Sequence, residues 1–246
     1  MTAGLRVRTA PRWLPAVLVT PVLRWLAVRH AVPPGSPWRG ACPSCGAVAG
    51  PAGPSGRCGG CGARLGPPAF TVEVLAVLAL VVGLLVVPSA VLAAYLWWAA
   101  LAVPLVLVDL AVHRLPDRLT LPAAGGVLLL LGVFGGGFFG GEFDRWWRAV
   151  LAGALVGLFF AATTLLLGRR GFGLGDAKLA LSCAALLGWF GWGAVLLGLM
   201  AGLLASALVS IALLVAGRVR WSSHLPFGPF LVFGTLMGLI LVGPGS

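Results

Sequence analysis

From Ala177 to Gly217 the chain runs for 41 residues with Lys178 as its only charged side chain. As one helix this stretch would reach about 60 Å, twice the roughly 30 Å hydrocarbon depth of a bilayer. It therefore reads as two crossings joined by a turn. Gly188-Trp-Phe-Gly-Trp-Gly193 supplies that turn, with tryptophans suited to the membrane–water interface. The same reading along the rest of the chain predicts spans at 70–87, 91–108, 121–139, 147–167, 177–190, 193–216 and 226–243.

Composition agrees: 60% of residues are hydrophobic and 9% charged, against about 25% charged in a soluble domain. The expected fold class is an all-α polytopic membrane protein, with seven to eight transmembrane helices and a small zinc-bearing cytoplasmic loop. The formal charge of +11 does not indicate nucleic acid, because the basic residues are scattered between apolar segments and form no stripe with interleaved aromatics. Loops facing an anionic membrane surface look like this, and membrane lipid is the expected partner. Residues 1–30 form a basic N-terminal segment without the pattern of a cleaved signal peptide. Within it Trp13–Val28 is apolar but short, and holds Pro15, Pro21 and Arg24. It reads as a weak first span or as an interfacial helix flanked by Arg6, Arg8 and Arg12.

Residues 31–68 change character, being rich in Pro, Gly and Ser, with the pairs Cys42-Pro-Ser-Cys45 and Cys58-Gly-Gly-Cys61. Such a segment buries too little apolar surface to fold alone. Two CxxC units, each followed by glycine (Gly46, Gly62), read as a tetrahedral zinc site that would supply the missing stability. The other reading is an unstructured loop with free or disulfide-bonded thiols. The remaining cysteine, Cys183, lies alone in an apolar segment and reads as packing. Residues 69–246 are expected to form the transmembrane domain.

Counting crossings puts the cysteine loop, the end of the span before Asp109, the segment before Asp176 and the loop 217–225 on one side. Arg39, Arg57, Arg64, Arg114, Arg118, Arg169, Arg170, Lys178, Arg218 and Arg220 lie there, and Arg145 and Arg148 on the other. Positive residues concentrate on the cytoplasmic side of membrane proteins, so the first face is expected to be cytoplasmic.

Six acidic residues are present: Glu73, Asp109, Asp117, Glu142, Asp144 and Asp176. Glu142 and Asp144 fall in an outer turn and read as solvated. Asp109 ends an apolar run and Asp176 opens another, within Gly171-Phe-Gly-Leu-Gly-Asp-Ala-Lys178. An acid at the edge of a membrane span is costly and marks a candidate site. Two carboxylates sharing a proton can activate a water and polarise a carbonyl, which is aspartic proteolysis. Gly171, Gly173 and Gly175 would let backbone approach a substrate, and Lys178 would favour a charged Asp176. A capped helix start explains the same Gly–Asp pattern. His113 reads as a solvated loop residue, Asp117 as a helix cap and Glu73 as a complement to a helix dipole.

Beyond these local readings, several segments resemble one family in order. Gly173-Leu-Gly-Asp176-Ala-Lys178-Leu179, Asp109-Leu-Ala-Val-His-Arg-Leu-Pro116-Asp117, and Leu225-Pro-Phe-Gly-Pro-Phe-Leu231 are similar to motifs of the type IV prepilin peptidases, the GxGD class of bacterial membrane aspartic proteases. The paired CxxC motifs with Pro67-Pro68 and Val72-Glu73 resemble that family's zinc-bearing cytoplasmic loop and the helix after it. The resemblance covers roughly residues 40–235. It implies Asp109 and Asp176 as the catalytic pair, with Gly173, Gly175 and Lys178 supporting the motif. It also implies zinc on Cys42, Cys45, Cys58 and Cys61, and a prepilin or pseudopilin cut at the cytoplasmic face of the bacterial plasma membrane. Family members that also methylate the new N-terminus use S-adenosylmethionine. Pro21–His30 replaces the motif those members carry before the loop, so the resemblance keeps the peptidase residues intact and leaves N-methylation, with S-adenosylmethionine, an open second activity. The alternative class is a non-catalytic membrane scaffold or transporter-like protein.

Overall fold

The computed structural model describes residues 14–33, 35–48, 55–168, 173–218 and 225–243. Arg6, Arg8, Arg12, Arg169, Arg170, Gly171 and Arg220 lie outside the described residues. Eight α-helices follow in order among them: α1 Leu14–His30, α2 Thr71–Val86, α3 Ser89–Val112, α4 Asp117–Val133, α5 Phe143–Leu167, α6 Leu174–Phe190, α7 Trp192–Val215 and α8 Gly228–Val242. The described residues contain no named strand, only two isolated bridges in the cysteine segment. α3, α5 and α7 are long and apolar enough to cross a membrane, and α2 and α8 are shorter apolar helices. The chain is a multi-pass membrane protein.

The helices match the expected spans with informative shifts. α3 continues past 108 to Val112 and α6 begins at Leu174, so both Asp109 and Asp176 lie inside helical turns rather than beyond them. α4 starts at Asp117 because Pro116 fits the position before a helix: its carbonyl accepts the amides of Leu119 and Thr120 at 2.9 and 3.1 Å. α4 stops at Val133, ahead of the glycine-rich 135–137 turn, where Phe138 N–H returns to the Gly132 carbonyl at 2.8 Å.

α6 is the central post, in contact with α4, α5, α7 and α8. Residues on all its faces are buried, from Ala177 to Trp189, which is why it lacks a polar stripe. Small residues let its neighbours close in. Gly153 and Gly157 of α5 face Leu181 of α6, and a Cβ on Gly188 of α6 would meet Ala152 at 2.6 Å. α7 and α8 use the same device reciprocally: Gly198 and Gly202 face Gly234 and Gly238, with Gly234 closing on the Gly198 carbonyl and on the Gly202 backbone. Both pairs have GxxxG spacing, which lets apolar helices approach closely in lipid, where packing rather than water exclusion drives association.

α1 packs along α2 and α3. Arg24 interrupts its apolar character yet is fully buried: its Nη2 meets Glu73 Oε2 at 2.7 Å and its Nη1 donates to the Pro67 and Pro68 carbonyls at 3.0 and 3.3 Å. Glu73, expected to serve the α2 dipole from its first turn, also neutralises this arginine. Removing one partner of a buried pair leaves an uncompensated charge and costs about 3–5 kcal/mol. Glu73→Ala is therefore expected to lower the thermal midpoint in detergent sharply, while the double variant Arg24→Leu/Glu73→Leu recovers most of it. Equal losses in the two would reject the pairing as the cause.

Candidate functional site

Asp109 sits on the last turn of α3, only 4% exposed. His113 ends that helix in the left-handed conformation, φ 51°, and its amide donates to the Asp109 carbonyl at 2.8 Å. The histidine side chain is exposed, as expected for a solvated residue. The Asp109 carboxylate is held from the far end of the sequence: Gly228 N–H donates to its Oδ2 at 2.9 Å. Gly228 opens α8, so the carboxylate lies at a helix N-terminus, where free amides and the dipole favour an anion. A Cβ on Gly228 would stand 2.7 Å from that oxygen, and only glycine lets the amide approach.

Asp176 occupies the third position of α6, and its Oδ2 accepts the Gly173 amide at 2.9 Å. The N-cap is therefore Gly173 and not Asp176, which instead accepts the cap residue's amide from inside the first turn. This bond does not consume the residue, since a carboxylate offers about four lone-pair sites. Asp176 is half-buried and within electrostatic reach of Asp109. The glycines serve space rather than conformational latitude. Gly173 has an ordinary φ of −73°, and a Cβ on Gly175 would meet Leu115 Cβ at 2.9 Å. The first turn of α6 therefore sits directly against the α3–α4 connection.

Lys178 was expected beside Asp176. Its Nζ instead meets Asp117 Oδ1 at 2.7 Å, because Asp117 opens α4 next to the start of α6. Asp117 makes no side-chain cap bond of its own helix. Both members are substantially exposed, so the pair adds little stability, but it ties together the two segments that carry Asp109 and Asp176.

Taken together, the acids sort themselves. Glu73 pairs with Arg24, Asp117 with Lys178 and Glu142 with Arg145. Asp144 is exposed in the first turn of α5. Only Asp109 and Asp176 combine burial with no cation among the described residues, and each instead receives one glycine amide.

The cysteine segment forms a second site. Cys42 N–H bonds the Ala47 carbonyl and Gly46 N–H the Cys42 carbonyl, at 2.8 and 2.9 Å; Cys58, Ala63 and Gly62 repeat both bonds at the same lengths. Gly46 and Gly62 each have φ 71°, a conformation that favours glycine. Two identical knuckles thus face each other, with Sγ–Sγ distances of 3.7 Å for Cys42–Cys61 and 3.6 Å for Cys45–Cys58. All four Sγ atoms lie within 4.8 Å of one another. Four thiolates at about 2.3 Å from one tetrahedral ion would be about 3.8 Å apart, so the cluster fits a metal ion. The amide of Ser44 holds the Cys42 thiol down to about 6, and those of Cys61 and Gly60 lower Cys58. Cys45, despite the Ala47 amide that lowers it, is pushed up to about 12 by its bonds to Cys61 and Cys58, so the four thiols share fewer than four negative charges without an ion.

With this geometry in view, a family model for the type IV leader peptidase family matches residues 93–215. The chain belongs to that family. The matched segment runs from α3 through α7 and contains both Asp109 and Asp176; the cysteine knuckles and α8 lie outside it. Three relatives are each named prepilin leader peptidase/N-methyltransferase. The one from Burkholderia pseudomallei is 36% identical over 55% of this chain and 45% of its own length. That of Aeromonas salmonicida is 34% identical over 67% and 55%, and that of Pseudomonas aeruginosa 32% identical over 59% and 47%. The chain therefore spans about half the length of the curated relatives it matches. No solved structure matches it significantly.

The sequence reading missed what α8 does. Leu225–Leu231 entered only through family resemblance, although GxxxG in α7 and again in α8 signals that these helices pack closely. Gly228→Ala is expected to displace the Asp109 carboxylate and to cost about 1–3 kcal/mol by overpacking, read as a lower thermal midpoint in detergent. Gly193→Ala is the matched control, since nothing lies within 4 Å of a Cβ there.

Proposed function

We propose that the chain is a prepilin leader peptidase of the aspartic type, cutting a prepilin or pseudopilin at the cytoplasmic face of the bacterial plasma membrane. The observation that carries this reading is the isolation of Asp109 and Asp176: two buried or half-buried acids within electrostatic reach of each other, with no cation paired to either among the described residues. In the reaction one carboxyl is protonated and hydrogen-bonds the scissile carbonyl, while the other, ionised, takes a proton from the attacking water. The water oxygen bonds to the carbonyl carbon, and collapse of the tetrahedral intermediate breaks the C–N bond as a proton passes to the leaving amine. Gly228 and the α8 N-terminus hold Asp109 in place, and Gly173 orients Asp176. Residues 69–246 would form the peptidase domain and 31–68 a cytoplasmic module.

Asp109→Asn and Asp176→Asn are each expected to reduce cleavage of a co-expressed prepilin to background, with membrane insertion unchanged. Retained cleavage by either variant rejects the aspartic mechanism. Absence of cleavage by the unaltered chain, tested with several prepilins and pseudopilins, favours the scaffold or transporter class instead.

The four cysteines would hold zinc as a closed, structural set without an open coordination position. The ion would supply folding energy to the knuckles and no step of the hydrolysis. One zinc per chain is expected by elemental analysis, with loss in Cys42→Ser; purified protein without metal overturns the assignment. Methyl transfer, the relatives' second named activity, would need S-adenosylmethionine.

A further inference from the structure

The seam where α1 meets α3 carries two cavities, the inner one floored by Ala76, Ala79 and Leu80 of α2. Val19 and Leu23 of α1 line the inner cavity; Ala27 of α1 and Ala31, just past its end, line the outer one, each about one turn after the last. On α3, Leu96, Ala100 and Val103 are followed in the same way by Leu107 and Ala111. The inner cavity, about 160 Å³, is lined by apolar residues alone. The outer one, about 510 Å³, ends at Arg39 and Arg64 from the edges of the cysteine knuckles. From Val19 to Ala31 the seam covers about 18 Å of helix, close to the roughly 15 Å hydrocarbon depth of one leaflet.

Arg39 is fixed by its own bonds, Nη1 to the Leu65 carbonyl at 3.0 Å and Nη2 to that of Ala31 at 3.3 Å. A guanidinium has five N–H donors, so others remain for a ligand. Neither Arg39 nor Arg64 has a carboxylate partner among the described residues. An apolar cavity and, a turn further along the same helices, a cavity bearing two cations without a carboxylate partner thus share one seam.

We propose that this seam is a binding site for one anionic phospholipid, its acyl chain along Val19–Leu23 and Ala100–Val103 and its phosphate on Arg39 and Arg64. Two guanidiniums without a carboxylate partner at the outer cavity suit a phosphate, a group that an apolar transmembrane partner helix does not carry. The site lies on the turns either side of Asp109, at Leu107 and Ala111, so its lipid braces the helix that carries that aspartate.

Native mass spectrometry of the full chain in detergent, given phosphatidylglycerol and phosphatidylcholine with the same acyl chains, tests this. The expected result is one phosphatidylglycerol retained per chain with about tenfold preference, the scale of one charge-assisted contact. Arg39→Gln/Arg64→Gln should abolish the preference, and Ala100→Leu should reduce retention of both lipids. Arg64→Gln alone, at an exposed position without carbonyl contacts, keeps the test readable if Arg39 proves necessary for the loop to fold. Equal retention of the two lipids, an unchanged preference in the arginine variants, or a photocrosslinker at position 100 that captures prepilin rather than lipid would each overturn the proposal.

Discussion

One hydrogen bond, from the Gly228 amide to the Asp109 carboxylate, joins helices whose contacting residues are 119 positions apart. Everything around it exists at a distance that only glycine permits. α8 can deliver its N-terminal amide because Gly234 and Gly238 let it lie on Gly198 and Gly202 of α7. α7 in turn follows α6 directly, and α6 carries Asp176 at its other end. In lipid, where apolar side chains gain little by leaving solvent, such close backbone contacts are what fix helix positions. The placement of a single buried carboxylate therefore depends on packing at the middle of the bundle.

Much of this was legible in advance. Long apolar runs with few charges determine the membrane helices from Thr71 onward almost by arithmetic, and the CxxC knuckles announced themselves through spacing and the glycines that follow. Pairwise geometry was the illegible part. Arg24 looked like damage to a span because its counter-charge, Glu73, is 49 residues away and had a sufficient local explanation in the α2 dipole. Lys178 looked like a neighbour of Asp176 because sequence distance is visible and the start of α4 is not. Gly173 and Gly175 suggested room for a substrate, and the neighbours a Cβ would meet there, Asp176 and Leu115, were not visible in the sequence.

The polar contacts also explain how a chain with so many free cations tolerates a bilayer. Aromatic and arginine donors inside the bundle reach backbone carbonyls: Tyr95 to Ala79, Trp97 to Pro122, Trp146 to Leu128, and Arg148 to Gly188 and Trp189. Arg148 thereby satisfies the carbonyls at the end of α6, which have no intrahelical partner. Carbonyl oxygens are abundant at helix ends and acids are scarce, so cations are accommodated mainly by backbone.

That scarcity gives the acids their meaning. A carboxylate set into such a basic protein would be expected to find an arginine or lysine, and Glu73, Asp117 and Glu142 each do. A cation against Asp109 or Asp176 would hold it permanently ionised and unable to share a proton. One glycine amide apiece orients the group while leaving its remaining lone pairs to a water or a neighbouring carboxyl. Lys178, the nearest cation in sequence to Asp176, is drawn aside by Asp117. The Lys178–Asp117 pair thus turns the lysine ammonium toward α4 and away from the Asp176 carboxylate.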